Sequence, residues 1–181
     1  MDSWRNFSGH FLLMRAAFLA FGAFLLCIAC GGSRSDEKQA FSELDCGVWT
    51  DVVERCFEGM SEHDSTKLVQ SVLPGAAITR LRWKASGELD IYSTTGQEFI
   101  DQLRQPGPSY VERIWDPICL GGEDVATVRA PYDFHVDTVF SHCGMEHFTL
   151  IRSEAGWRIQ SVAYTFFSKT ESDCKAKFGS P

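Results

Sequence analysis

The chain has 181 residues, 44% of them hydrophobic and 13% aromatic, which suits one globular domain around one core and excludes a disordered or low-complexity polypeptide. With 24 acidic against 17 basic residues the formal net charge is −7, so there is no electrostatic reason to bind DNA or RNA, and no nucleic-acid partner is expected.

The N-terminus sets the compartment. After Arg5 and Arg15, the stretch "AAFLAFGAFLLCIAC" is an apolar run of signal-peptide length ending at Cys30, too short to make a comfortable membrane-spanning anchor. Small residues Ala29, Gly31 and Gly32 bracket Cys30, and the site resembles the lipobox of bacterial lipoproteins, whose cysteine becomes the lipidated first residue after cleavage. Residues 1–29 are read as signal peptide and residues 30–40, with the polar "GGSRSDEKQA", as a lipid-anchored flexible tether. Cleavage by the ordinary signal peptidase and an uncleaved anchor are the alternatives. Gly31 after the cysteine points to an outer-membrane lipoprotein facing the periplasm, with a secreted or periplasmic soluble protein as the other outcome.

Residues 41–170 are the expected domain and residues 171–181 a C-terminal tail. Val48, Val52, Val53, Cys56, Phe57 and Met60 fall at helical spacing, predicting a first helix over Phe41 to Met60. Asp64 caps a second, short helix through Leu68, Val69 and Val72, ended by Pro74 and Gly75. "AAITRLRWKASGELDIYS" alternates and turns at Ser86-Gly87, a β-hairpin. "TGQE" from Thr95 to Glu98 has the capping-box pattern, and Phe99, Ile100 and Leu103 give a third helix its apolar side before "PGP". From Tyr110 to Phe167 four long antiparallel strands are expected, with turns at "GGED", "DT" and "SEAG".

Segregated helices followed by a strand meander define an α+β fold with helices over one face of a bent sheet. "CFEGMSEHDSTKLVQSVLPGAAI", "GEDVATVRAPYDFHVD" and "SHCGMEHFTLIRSEAGWRIQSVAYT" resemble the nuclear transport factor 2-like (NTF2-like) superfamily, and within it the SnoaL-like and lumazine-binding bacterial proteins. The resemblance covers residues 44–167, with "GWRI" its best marker. It implies a cone whose strongly bent antiparallel sheet is covered on its concave face by the N-terminal helices, enclosing a cavity. The scaffold hosts isomerases, cyclases, dehydratases, carriers and dimerisation modules, so it implies a fold more than a function.

The densest chemistry lies in "YDFHVDTVFSHCGMEHF". A two-residue turn at Asp137-Thr138 sets Val136 against Val139. Counting outward places Asp133 opposite His142 and Arg129 opposite Glu146, two charge-complementary pairs on one face. Pairing Leu150 with Ile159 across "SEAG" gathers Phe148, Leu150, Trp157, Ile159 and Ala163 as the core side, and stepping back by twos puts Glu146, Gly144 and His142 on that same side. The opposite face would then hold Tyr132, Phe134, Val136 and Val139, too apolar for water. Either a bulge near Pro131 or Gly144 shifts the register, or a second copy covers that face; barrels of the resembled superfamily often dimerise this way, so a homodimer through these residues is expected.

Two functions fit this arrangement. The first is a binding domain for a small apolar or amphipathic molecule, or for a partner protein, with Arg129, Glu146, Phe148 and Trp157 about the ligand. The other is a SnoaL- or ketosteroid-isomerase-like enzyme, with His142 as general acid-base held by Asp133, Arg129 stabilising developing negative charge, and Asp90 a candidate second acid. A satisfied structural network of the same charges is the plain alternative.

No metal site is expected, because His142 and Cys143 are neighbours facing opposite ways and His135, although on the side of His142, lies beyond Asp133. His147 falls on the outer face, His63 in a loop and Trp83 on the strand surface. No cofactor is implied. Cys143, turned away from His142, is no nucleophile. With Cys27 in the signal and Cys30 lipidated, Cys46, Cys56, Cys119, Cys143 and Cys174 remain, an odd set that leaves at least one thiol free. An oxidising compartment permits a Cys46–Cys174 bridge near the domain's two ends; solitary buried cysteines are the equal alternative.

Overall fold

The structure, a computed structural model, describes residues 43–181, with side chains from Cys46 onward. The signal-peptide, tether and Cys30 readings lie outside the described residues. Four helices and seven strands follow in the order α1 (Glu43–Glu62), α2 (Ser65–Ser71), β1 (Val72–Trp83), β2 (Leu89–Thr95), α3 (Gly96–Leu103), β3 (Tyr110–Ile114), β4 (Ile118–Gly121), β5 (Val125–Val136), β6 (Val139–Ser153), β7 (Gly156–Phe166) and α4 (Glu171–Phe178).

The helix signals act as sequence chemistry requires. Asp64 accepts backbone hydrogen bonds from Thr66 and Lys67 at the start of α2, and Thr95 with Glu98 forms a complete capping box on α3. On α1, Trp49, Val52, Val53, Cys56, Phe57 and Met60 make the buried stripe, whereas Val48 stays exposed. This stripe packs on Val128, Phe148, Leu150 and Ile159 of the sheet, each worth about 1.5–3 kcal/mol of burial. Pro74 and Gly75, expected to follow the second helix as a break, lie within β1, beside a register irregularity between Val72 and Ala77.

The strands run β2-β1-β7-β6-β5-β3, and β4 also pairs with β5. The sheet is mixed, because β1 and β7 are parallel while the other pairs are antiparallel. The region expected to hold four strands holds five, the short β3 and β4 together edging β5.

Two hairpin anchors sit where the sequence puts them: Val136 faces Val139, and Leu150 faces Ile159. Between Phe134 and His135 the β5–β6 register shifts: Phe134 faces His142 and His135 faces Phe140, leaving Ser141 as the extra residue. That one residue corrects the counted pairs. Asp133 lies opposite Cys143, Glu146 opposite Ala130, and Arg129 opposite His147. A second shift in β6–β7 pairs Thr149 with Ser161, so Val162 is buried and Ala163, expected in the core, is exposed.

The bulge removes the outer apolar face on which the expected homodimer was built. Tyr132 is fully buried and Phe134 packs against the core, both on the inner side, while Val139 near the turn is exposed. Part of the outer face is instead occupied by α4, in the segment expected as a tail. Cys174 of α4 is disulfide-bonded to Cys143 of β6, and Trp115 Nε1 donates to the Phe178 carbonyl at 2.8 Å. A second disulfide joins Cys46 of α1 to Cys119 of β4, and Cys56 is free and buried. The Cys46–Cys174 pairing is thereby corrected: the cysteines near the domain's two ends each bond to a strand.

Candidate functional site

Inward residues of α1, α3 and six strands enclose a cavity of about 380 Å³. Its walls are largely aromatic and aliphatic, with Phe57, Phe99, Tyr110, Phe134, Phe148 and Phe166 among them. The deep side is set by Val72, Phe148 and Glu146, all nearly inaccessible, and the open side by the exposed Tyr92 and Gln102.

Two carboxyls project into this apolar space. Glu146, 3% exposed, comes from β6; Glu112 comes from β3, where alternation in "YVERI" puts it on one face with Tyr110 and Ile114. Glu112 is part-exposed and lines the same cavity. The two carboxyls are close enough for each to alter the other's ionisation. Glu146 Oε2 receives no hydrogen bond from a backbone amide, hydroxyl or basic side chain. Desolvation raises both acids above the ordinary carboxylate range, Glu112 to about 8, so both carboxyls favour the protonated form at neutral pH.

His142 lines the same cavity. Its ring stacks on Phe166 with centroids 4.2 Å apart, meets Phe134 at 5.0 Å and the edge of Tyr132 at 5.7 Å. Ser141 Oγ lies 3.1 Å from its Nδ1. Burial, with Lys169, Arg80 and Arg82 as like charges, pushes its pKa down to about 4, so the imidazole is neutral at physiological pH. Tyr132 reaches across Gly144 to donate to the Thr165 carbonyl at 3.0 Å. A Cβ at Gly144 would run into that same carbonyl and the Tyr132 ring, so the glycine is what admits the tyrosine. The Cys56 thiol, on the wall, is held above its ordinary pKa by burial and the two acids.

Arg80 also reaches the cavity, but Asp90 holds it at 2.8 Å and its guanidinium lies 5.5 Å from the Tyr92 ring centre. Asp90, weighed as a second acid, is thus an ion-pair partner.

The structure brings His142, Glu146 and Phe148 to one cavity and leaves the other expected site residues outside it. Asp133 is 10% exposed on the outer face, where Arg113 grips it through Nε at 2.9 Å and Nη2 at 2.5 Å beneath α4. The Asp133–His142 couple is therefore corrected: the bulge puts the carboxylate and the imidazole on opposite sides of the sheet, and the expected acid-base dyad has no contact. Arg129 is exposed on the outer face, so the expected partner of Glu146 is replaced by Glu112. Trp157 packs edge-on against Trp49 at 5.8 Å, away from the cavity. His135 shares the outer face with Asp133, its Nδ1 3.7 Å away, rather than the side of His142. Among the described residues no three His, Cys, Asp or Glu side chains gather as metal ligands.

Glu112 was not singled out in the sequence. Its signal is an acid between Tyr110 and Ile114 on a strand, which reads equally well as a solvent-facing residue until the partner strand is known.

Element order, mixed bent sheet and roofed cavity define an α+β cone of the NTF2-like, or cystatin-like, kind. Neither a protein-family model nor a curated protein matches the sequence. Solved structures match the fold. An NTF2-like protein from Cytophaga hutchinsonii superimposes with a TM-score of 0.55 at 12% identity, over 70% of this chain and 99% of that one. A protein of unknown function from Mycobacterium tuberculosis gives 0.55 at 13% identity over 76% and 85%. An NTF2-like superfamily protein from Salmonella enterica gives 0.51 at 14% identity over 69% and 94%. At such identities the likeness concerns the fold.

Proposed function

We propose that the protein is an exported binding domain whose cone cavity holds a small amphipathic molecule, and that a lipid on Cys30 keeps it at the cell envelope. The observation carrying the first part is the cavity itself: about 380 Å³, walled by aromatic rings, with a nearly inaccessible acid at its deep side. That combination of apolar wall and a few fixed polar atoms is what binds small molecules in general. Export is supported by the signal-like run ending at Cys30 and by two disulfides, which persist in oxidising compartments.

Calorimetric titration with phenylbutanol tests the binding. Saturable binding that Val162→Trp abolishes, by filling the cavity while the fold stays intact by circular dichroism, is the expected result; binding unaltered by that substitution would overturn it. Metabolic labelling with palmitate tests the anchor: label is expected on the wild type and absent from Cys30→Ser, and an unlabelled wild type would remove the anchor.

A further inference from the structure

Resting on the binding function proposed above, we infer that the ligand is an organic cation, an ammonium group on an apolar body, whose charge is received by the Glu112–Glu146 pair.

Two carboxylates in an apolar cavity without a basic partner are costly, because each ion loses hydration and the two repel. Neither acid has an ion pair among the described residues. The basic groups facing the same space are Arg80, whose Nη2 is bonded to Asp90 at 2.8 Å while its Nε is buried without a partner, and His142, stacked on Phe166 and tilted against Phe134. From the other elements the cavity receives the Cys56 thiol of α1, the phenols of Tyr92, Tyr110 and Tyr164 from β2, β3 and β7, and no further cation. The Tyr132 phenol of β5 lies close by, committed to the Thr165 carbonyl.

Protonation of both carboxyls relieves the repulsion and leaves the site neutral. An ammonium that displaces one of the two protons leaves a carboxylate to receive its charge and a second carboxyl beside it, so the site stays neutral, and the rings of Phe57 and Phe148, packed edge to face with centroids 6.1 Å apart, line the same apolar cavity. A neutral carbonyl ligand would instead accept the retained proton as a hydrogen bond; the two differ in how binding depends on charge and pH.

The test is calorimetric titration of the protein with phenylbutylamine, phenylbutanol and phenylbutyrate across a pH series and in buffers of different ionisation enthalpy. The amine should bind at least about tenfold more tightly than the alcohol near pH 8; below that pH it should release about one proton, its affinity rising about tenfold per pH unit. Glu112→Gln and Glu146→Gln should each erase the preference for the amine while the alcohol still binds. If alcohol or butyrate binds as tightly as the amine, or amine affinity does not rise with pH, the cation is overturned and ligand binding stands. If none of the three binds, the binding function falls and this inference with it. The wild-type pH series decides the matter even where a variant fails to fold.

Discussion

Glu112, Glu146 and His142 lie in one apolar cavity, and burial moves each toward its neutral form. For the acids the folded pKa lies above the unfolded one, so their contribution to stability is fully present below about pH 4.5 and is lost as pH rises through the folded values. For His142 the folded pKa of about 4 lies below its ordinary 6.5, so its contribution is present above the ordinary value and is lost as pH falls toward 4. Between these limits the two trends oppose each other; above about pH 6.5 the acids remain alone. Unfolding free energy from urea titrations should therefore fall between about pH 6.5 and about pH 8, and Glu112→Gln should flatten the slope. An unchanged slope would contradict the buried pair. By NMR, the His142 imidazole should stay neutral down to about pH 4, and titration near 6.5 would place it in water. Gly144→Ala should cost about 1–3 kcal/mol or more in denaturant, since its Cβ meets a backbone carbonyl that cannot swing aside.

At the scale of elements, Ser141 decides which side chains share a room. Hydrophobic alternation in β5 and β6, taken strand by strand, assigns Tyr132, Phe134, Glu146 and Phe148 to the buried side without difficulty; joining the strands by their turn alone fails, because one unpaired residue exchanges the faces. The excess of apolar residues on the face counted as outward was the legible trace of that bulge. The first three helices, the caps of α2 and α3, the Asp137-Thr138 turn and the α+β class are local or periodic properties and were readable directly, whereas α4 lies where a tail was expected. The Glu112–Glu146 contact spans β3 and β6, which are not neighbours in the sheet, and no local pattern encodes it. The disulfides were equally hidden, since spacing does not specify partners.

The two bridges close loops of 73 and 31 residues in sequence separation. Cys143→Ser with Cys174→Ser should lower stability by about 2–4 kcal/mol and free α4, read by hydrogen exchange, while phenylbutanol binding persists because α4 lies on the other side of the sheet. His63, at φ 54°, ties the α1–α2 corner to the segment after α3 through contacts of 2.9 and 3.0 Å to the carbonyls of Leu103 and Pro108. His63→Ala should cost about 1–2 kcal/mol, checked by thermal unfolding, and no loss would mean the corner is held by packing alone.

Across the whole molecule, helices roof one face of the sheet, α4 is bonded to part of the other, and the cavity lies between roof and sheet. A different apolar surface lies elsewhere on the sheet: Leu81, Trp83 and Ile91 alternate with inward residues on β1 and β2, and Trp83 and Ile91 are 68% and 59% exposed. Intermolecular nuclear Overhauser effects from phenylbutanol to the protein's side chains separate the two surfaces directly. Contacts to Phe134, Phe148 and Val162 are the expected result. Contacts confined to Leu81, Trp83 and Ile91 would contradict a ligand held beneath the helices.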